Sequence, residues 1–354
     1  MRIHKALALM FSLAALTACW SDALGAQPAG EITLMSYGGI VEEMYKAVVV
    51  EPFMKKFPGL TVKYFDGGSS AQMLGTLRAQ RSSPQIDVVI MDTSVSDVGN
   101  KEGVLAKPDP AQVSSLKELF PQALDPGGYG PAVTFDHWVL VYDTDKVKPA
   151  PTHFAALWEP RFKRQISLPA VPNIQGIAAT ILTAKMLGVD YRQSIDAAVQ
   201  KLTELAPSVQ TFDPQPDGYT MVLGGSLTIA TGWNARAQFF HNQSKGKLGV
   251  LLPAEGSVFQ INTINLVAGS RNPVAAQTFI NYALSADAQK AFTEAMFYAP
   301  TNATAKIAAA AAARIAGTPE AMAKMIPVDW NWIATIRDQW NNRWRREIIP
   351  ASGR

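Results

Sequence analysis

Apolar and polar positions alternate through most of Glu31 to Tyr37, the period of a strand, and the run stops at Gly38-Gly39. Over residues 41–57 the spacing turns helical, with Glu42 and Lys46 one turn apart, and Pro58-Gly59 closes the segment. A second strand is predicted over 61–65, then a helix capped by Ser70 and running to about Arg81. The β-branched run at 86–91 has the character of a buried parallel strand. This β-α-β-α-β order predicts an α/β layer fold.

Two long strands follow, at 133–142 and 258–267. Between them lie predicted strands at 165–168 and 226–231 and helices at 176–187 and 194–205. Trp233-Asn234 then leads into a helix ending near His241. Beyond the second long strand, Asn272 at a cap position and Pro273 at the first helical position start another helix. Ser285 caps the next, with Asp287 in its first turn. The Ala-rich stretch 303–316 reads as a plain surface helix, and no repeat of 20–50 residues is visible. The chain thus leaves one α/β region, builds another and returns. One lobe is expected from 27–132 plus 263–304 and the other from 133–262 plus 305–354. Two crossings make a hinge, and a ligand would lie between the lobes, outside the carboxyl ends of the strands.

The 354 residues carry 32 Lys+Arg against 29 Asp+Glu, with no basic block, which argues against nucleic acid as a partner. Cys19 is the single cysteine, and the four histidines have no HExxH spacing. No intramolecular disulfide, zinc site or cofactor is implied. At the N-terminus, Arg2 and Lys5 precede an apolar run over 6–18, the pattern of an export signal covering 1–26. Two processing routes compete. The polar stretch 21–26 favours cleavage near Ala26, while Leu16-Thr17-Ala18-Cys19 resembles a lipobox that would acylate Cys19. Either route places the mature chain in the periplasm. No later run of 18 apolar residues exists to hold it in a membrane.

No GxSxG elbow, phosphate loop or catalytic triad can be assembled, so an exported α/β hydrolase or transferase stands only as the alternative function. Polar and aromatic residues instead cluster just after predicted strands. These are Tyr37-Gly38-Gly39, Asp92-Thr93-Ser94, Asn173 with Gln175, and Trp233-Asn234, while Gln260 and Asn262 lie within the return strand. Aromatic faces attract amines, and backbone N–H groups beside glycines suit polar ligand atoms. Each has a structural alternative. Tyr37 and Trp233 can be core aromatics, Asp92 a helix cap, Asp136 a strand-edge charge, His137 a neutral structural histidine and Arg236 a solvated helix residue.

In order and spacing, ITLMSYGGIVEEM, FMKKFPGLTVKYFDGGSS, IDVVIMDTSVSDVGNKEGVLAKPD, VLVYDTDKV, IATGWNARAQ and NPVAAQTFINYALSADAQKAFTEAMFYAPTNATAKI resemble the spermidine/putrescine-binding branch of the family-1 extracellular solute-binding proteins. The resemblance implies a type II periplasmic-binding-protein fold with its cleft at the hinge, no enzymatic activity, and a monomer serving an ABC permease. It carries pocket positions onto Tyr37, Asp92, Ser94, Trp233, Gln260, Asn262 and Tyr298, the last in Tyr298-Ala299-Pro300-Thr301-Asn302. Departures bear on the ligand. Polyamine binders place Trp and Asp where this chain has Gln260 and Asn262, and their second-lobe acidic pair falls near 170–174, where no carboxylate stands. Buried ammonium groups need carboxylate partners. Asp92 and Asp136 suffice for one, which fits a shorter amine or an amino-acid-like zwitterion better than a long polyamine. The adjacent tyrosines of ferric-iron binders are missing.

Overall fold

The structure is a computed structural model that describes residues 29–316 and 319–353. The expected export signal and Cys19 lie outside the described residues. Its strands and helices are, in chain order, β1 (Gly30–Ser36), α1 (Ile40–Tyr45), α2 (Glu51–Lys56), β2 (Leu60–Asp66), α3 (Ser70–Ala79), β3 (Val88–Asp92), α4 (Thr93–Glu102), β4 (Leu105–Ala106), β5 (Ala132–Asp143), β6 (Ile166–Ser167) and α5 (Ile174–Met186). There follow α6 (Asp196–Leu205), β7 (Val209–Thr211), α7 (Gly218–Leu223), β8 (Ile229–Trp233), α8 (Asn234–Gln243), β9 (Leu248–Leu251) and β10 (Phe259–Val267). The chain ends with α9 (Pro273–Ala283), α10 (Ala286–Met296), α11 (Ala309–Ala312), α12 (Pro319–Ala323) and α13 (Trp330–Arg343). No helix among the described residues is long and apolar enough to cross a membrane.

The local signals mostly act as expected. The helical pattern at 41–57 gives α1 and α2 joined by a π turn at Lys46–Val50. Pro52 offers no N–H and crowds the preceding turn, which a wider turn relieves. Asn272 and Pro273 start α9. The cap of α3 is Ser69 rather than Ser70, in a reciprocal capping box with Gln72. Ser70 is drawn inward instead, where its hydroxyl accepts from the Asp92 N–H at 3.0 Å. Ser285 precedes α10, but its hydroxyl donates back to Tyr282 O and leaves the helix N–H groups uncapped. The predicted strand at 226–231 begins later and runs to Trp233, so that residue ends a strand rather than following one. The Ala-rich stretch forms only the single turn of α11. Asn302 holds the start of that stretch in a turn, its Oδ1 accepting from Thr304 N–H and hydroxyl. Ala311 and Ile315 are then buried rather than set on a surface face.

One ten-stranded sheet runs through the molecule in the order β2-β1-β3-β10-β5-β8-β6-β7, with β4 on β10 and β9 on β5. β3 is parallel to β1 but antiparallel to β10, so the parallel expectation holds on one side only. β5 joins the halves. Its first half pairs with β10 from Ala132 to His137, and its second half pairs with β8 from Trp138 to Tyr142. Each lobe has a main core and a smaller cluster, the latter around Met73 and Val89 in the first and around Tyr219 and Val222 in the second. Ile32, Leu34, Phe53, Phe135, Ile264 and Phe279 fill the first main core, while Trp138, Phe162, Ile177, Leu202 and Trp344 fill the second. This is the two-lobed α/β type II architecture.

Packing departs from the expected lobe boundaries in two places. Val133, Phe135, Phe259 and Ile261 pack with the first lobe, beyond the boundaries at 132 and 262. Ile307, Ala311, Ile315 and Met322 also pack there, and only from Ile326 onward do the tail side chains join the second core. The tail therefore makes a third crossing, beside the two read from the sequence. Val258 and Ile326 pair in parallel there, next to the hinge.

Candidate ligand-binding site

A cavity of about 1040 Å³ opens between the lobes. Tyr37 and Gly38 enter it from the end of β1, Asp136 from β5, Gln260 and Asn262 from β10, and Tyr298 from the turn after α10. The second lobe adds Asn173, the loop from Phe212 to Asp217, Trp233 and Arg236. Eight of the thirteen sequence-predicted residues thus come together: Tyr37, Gly38, Asp136, Asn173, Trp233, Gln260, Asn262 and Tyr298.

Gly39, Asp92, Thr93, Ser94 and Asn234 do not line this cavity. Gly39 starts α1 at φ +64°, a turn that glycine makes without strain. Asp92 caps α4, its Oδ1 accepting from Ser94 N–H at 2.9 Å and from Ser94 Oγ at 2.5 Å. Thr93 opens α4 behind it. Asn234 is buried and spends its amide on Phe297 O and Arg314 O.

The first-lobe wall is a closed hydrogen-bond network. The Tyr37 hydroxyl donates to Asn262 Oδ1 at 2.9 Å and lies 2.8 Å from Ser70 Oγ, while Asn262 Nδ2 donates to Thr134 Oγ1 at 3.0 Å. Tyr64 Oη donates to Tyr37 O at 2.7 Å and steadies the strand end. Tyr298 stacks on Phe292 with ring centroids 5.4 Å apart, and the next residue, Ala299, bridges to Phe135 on β5. Burial raises the pKa of both the Tyr37 and Tyr298 hydroxyls, so both are neutral groups.

Asp136 lies at the hinge, 2 % exposed, in register with Gln260 across the β5–β10 pair. Burial pushes its carboxyl up to about 7, against the opposing pull of the N–H groups of Ala235, His137 and Asn234 and of the Arg236 charge. Its Oδ1 accepts from His137 N–H at 2.8 Å and from Ala235 N–H at 3.1 Å. The carboxylate therefore faces the amino end of α8 as well as the cavity, which favours its negative form. His137 itself is buried and held neutral by desolvation, its pKa near 3, in keeping with a structural histidine.

Trp233 is held at the end of β8 by Tyr219, whose hydroxyl accepts from Trp233 N–H at 2.6 Å. Thr231 Oγ1 donates to Gln175 Oε1 at 2.9 Å, tying β8 to the start of α5.

Several lining residues escaped the sequence reading. Asp213, Gln215 and Asp217 supply second-lobe polar groups, and Arg236 faces the cavity rather than open solvent alone. Asp217 could have been found as a cap, since it directly follows Pro214-Gln215-Pro216 and accepts from Thr220 N–H at 2.8 Å. Asp213 carries no periodic or capping signal. No carboxylate stands near 170–174, as expected from the sequence, but Asp213 and Asp217 bring second-lobe carboxylates to the cavity from after β7. Among the described residues no cluster of three or more His, Cys, Asp or Glu could hold a metal ion.

Comparison with known proteins places this geometry. Residues 49–322 match the family model for bacterial extracellular solute-binding proteins. The spermidine/putrescine-binding periplasmic protein of Salmonella typhimurium is 26% identical over 265 residues, 73% of this chain and 75% of that one. A gamma-aminobutyric acid-binding protein of Pseudomonas aeruginosa is 24% identical over 282 residues, 77% of each chain. The crystal structure of an ABC transporter protein from Clostridium perfringens superposes with a TM-score of 0.73 at 25% identity, covering 90% of this chain and 99% of that one. A spermidine/putrescine ABC transporter substrate-binding protein from Streptococcus pneumoniae shares the fold with a TM-score of 0.75 at 18% identity, over 90% and 99% of the two chains. With a cleft walled by both lobes and a family match over most of its length, the chain belongs to the bacterial extracellular solute-binding proteins.

Proposed function

We propose that the protein captures a small amine-bearing solute in the periplasm and delivers it to the permease of an ABC importer, binding its ligand without transforming it. The carrying observation is Asp136, a buried carboxylate at the hinge that lines the same cavity as the rings of Tyr37, Trp233 and Tyr298. A desolvated carboxylate there meets an ammonium, and aromatic faces add cation–π attraction of about 2 kcal/mol for a desolvated cation. Arg236 on the same cavity offers a guanidinium fork to an anionic group. Asp136 and Arg236 together favour a zwitterion with separated charges. That chemistry is of the kind the Pseudomonas relative is named for, while the neutral Gln260 and Asn262 lessen the case for a long polyamine.

Titration calorimetry against 4-aminobutyrate, putrescine, spermidine and glutarate tests the reading. Binding of 4-aminobutyrate, lost in Asp136→Asn and weakened in Arg236→Gln, is the expected result. Putrescine binding without 4-aminobutyrate binding removes Arg236 from the account. Binding of glutarate alone overturns the amine. Recovery of the ligand unchanged by mass spectrometry after prolonged incubation separates capture from the enzymatic alternative.

A further inference from the structure

We propose that Arg337, which lies outside the ligand cavity, is a positioning residue: when the lobes close, its guanidinium, carried by the second lobe, pairs with the Asp92 carboxylate of the first. The inference needs lobe closure but not the ligand chemistry proposed above.

α13 belongs to the second lobe, where Trp330, Ile333 and Trp340 enter the core, yet it also packs against α4 of the first. From this helix Arg337 donates to Pro172 O at 3.0 Å, and Pro172 lines the ligand cavity. Its Nε is buried without a hydrogen-bond partner. A guanidinium presents its donors as a rigid fork matched to a carboxylate, so an unused buried Nε–H marks an unfinished interaction.

The opposite wall supplies the acceptor. Asp92 is buried at the end of β3, and that burial raises its carboxyl pKa, a rise opposed by the Ser94 hydrogen bonds and by the Arg337 charge. The two form no ion pair within 4.0 Å in this arrangement, and Gln260, like Arg337, favours the charged form of Asp92. Ser94, bonded to Asp92, shares with Arg337 a groove of about 260 Å³. Val95 and Val98 wall it from the first lobe, Ile174 and Ile333 from the second. Its two walls belong to different lobes, so hinge closure would narrow it. Closing it would expel water and strengthen a charge pair between apolar walls. Pro172 and Gln260 both line the ligand cavity, so the pair is coupled to occupancy there, and by linkage occupancy favours the pair.

Single-molecule distance measurement tests this. Dyes go on cysteines replacing exposed Phe65 and Leu187, one per lobe, in a Cys19→Ser background, with and without 4-aminobutyrate. The variants are Arg337→Met, Arg337→Lys and Asp92→Asn, the last keeping an acceptor for the α4 cap. The lifetime of the short-distance state is expected to fall at least tenfold in Arg337→Met and in Asp92→Asn. The double variant should fall no further than either single one, and Arg337→Lys should restore part of the loss. Unchanged lifetimes, additive losses, or a loss in Arg337→Met without one in Asp92→Asn overturn the pairing. The last outcome reduces Arg337 to an anchor for the Pro172 loop. If Arg337→Met does not fold, Asp92→Asn and Arg337→Lys decide alone. If 4-aminobutyrate fails to close the parent but its ligand-free short-distance visits shorten in the coupled manner, the amine reading falls and the pairing stands. A parent with no short-distance state under either condition overturns it.

Discussion

The two walls of the cleft are built on opposite plans. On the first-lobe side, Tyr37, Asn262, Ser70 and Thr134 are bonded to one another; Asn262 and Thr134 stand on strands, Tyr37 directly follows β1 and Ser70 opens α3. On the second-lobe side, Asp213 and Gln215 sit exposed on an irregular loop, and Arg236 projects from the first turn of α8. The first wall has little polar capacity left for a ligand and gives it ring faces and shape. The second carries charge on side chains free to adjust. On the proposed reading, such a division would make one lobe a preorganised platform and leave discrimination to the other, with Asp136 on the strand that joins them.

The sharpest way to break that comparison is at the joint. Asp136→Asn should weaken binding of an amine by more than a hundredfold, since losing the partner of a buried charge costs about 3–5 kcal/mol. Calorimetry that finds less than a tenfold loss would return the ammonium to another carboxylate. Trp233→Ala should cost about tenfold in affinity if the ring faces the ammonium, about 1.4 kcal/mol per decade. Tyr37→Phe should act differently from both. It removes a hydroxyl that already serves Asn262 and Ser70, so the expected loss is in the melting temperature of the unliganded protein. One buried hydrogen bond is worth about 1 kcal/mol. Affinity falling more than stability in that variant would show that the first wall is not the passive one. Asp213→Asn, on the exposed loop, should change affinity least, by a few-fold, and more strongly at low salt.

The joint also carries a pH signature with two opposing parts. Asp136 is pushed up to about 7 and its neighbour His137 down to about 3. The folded Asp136 keeps a proton that the unfolded chain has released, so its contribution is full below about pH 4 and lost as pH rises through 7. The buried neutral His137 does the reverse: its contribution is present above about pH 6.5 and is lost as pH falls toward 3. Between about pH 4 and 6.5 the two offset in the unliganded protein. Thermal melts should therefore show a steeper loss on acidification in Asp136→Asn and a gain on acidification in His137→Gln. Equal slopes in both would contradict the burial of the pair. With an ammonium bound, Asp136 is held charged, and affinity should fall as pH drops through about 7.

The same contrast explains what could be read from the sequence. First-lobe features lay on periodic segments with punctuation: alternation to Tyr37, the glycine pair, the buried run ending at Asp92 and the Asn272-Pro273 start. Order and spacing made the fold legible, including the return strand that brings Gln260 and Asn262 back to the hinge. Asp92 was placed near the cleft, but one sequence cannot say whether a carboxylate after a strand turns to a ligand or to its own helix. Ser94 accounts for the latter. Asp213 and Gln215 were invisible because nothing periodic fixes a loop of this kind. Helical spacing alone does not tell cleft from bulk water, so from sequence Arg236 reads as a solvated helix residue. The Ala-rich stretch misled because helix propensity is a weak prior beside the Asn302 turn and the burial of Ile315.

The third crossing bears on how the chain is completed. Neither lobe is a continuous stretch of sequence: the first needs Ile264 and Phe279, and the second needs Trp344 and Ile348, well over a hundred positions after α5 and α6. Trp344 is fully buried, and its indole donates to Thr180 Oγ1 at 3.0 Å across 164 positions of the chain. A polypeptide emerging amino end first must hold α5 and α6 without their cover until residues 330–348 have been made. Contacts of such separation form late. A copy cut short before Trp330 would leave the apolar faces of Ile177, Val199 and Leu202 open to proteases. The segment from Trp330 to Ile348 thus doubles as an assay of chain integrity, passed only by molecules that include it.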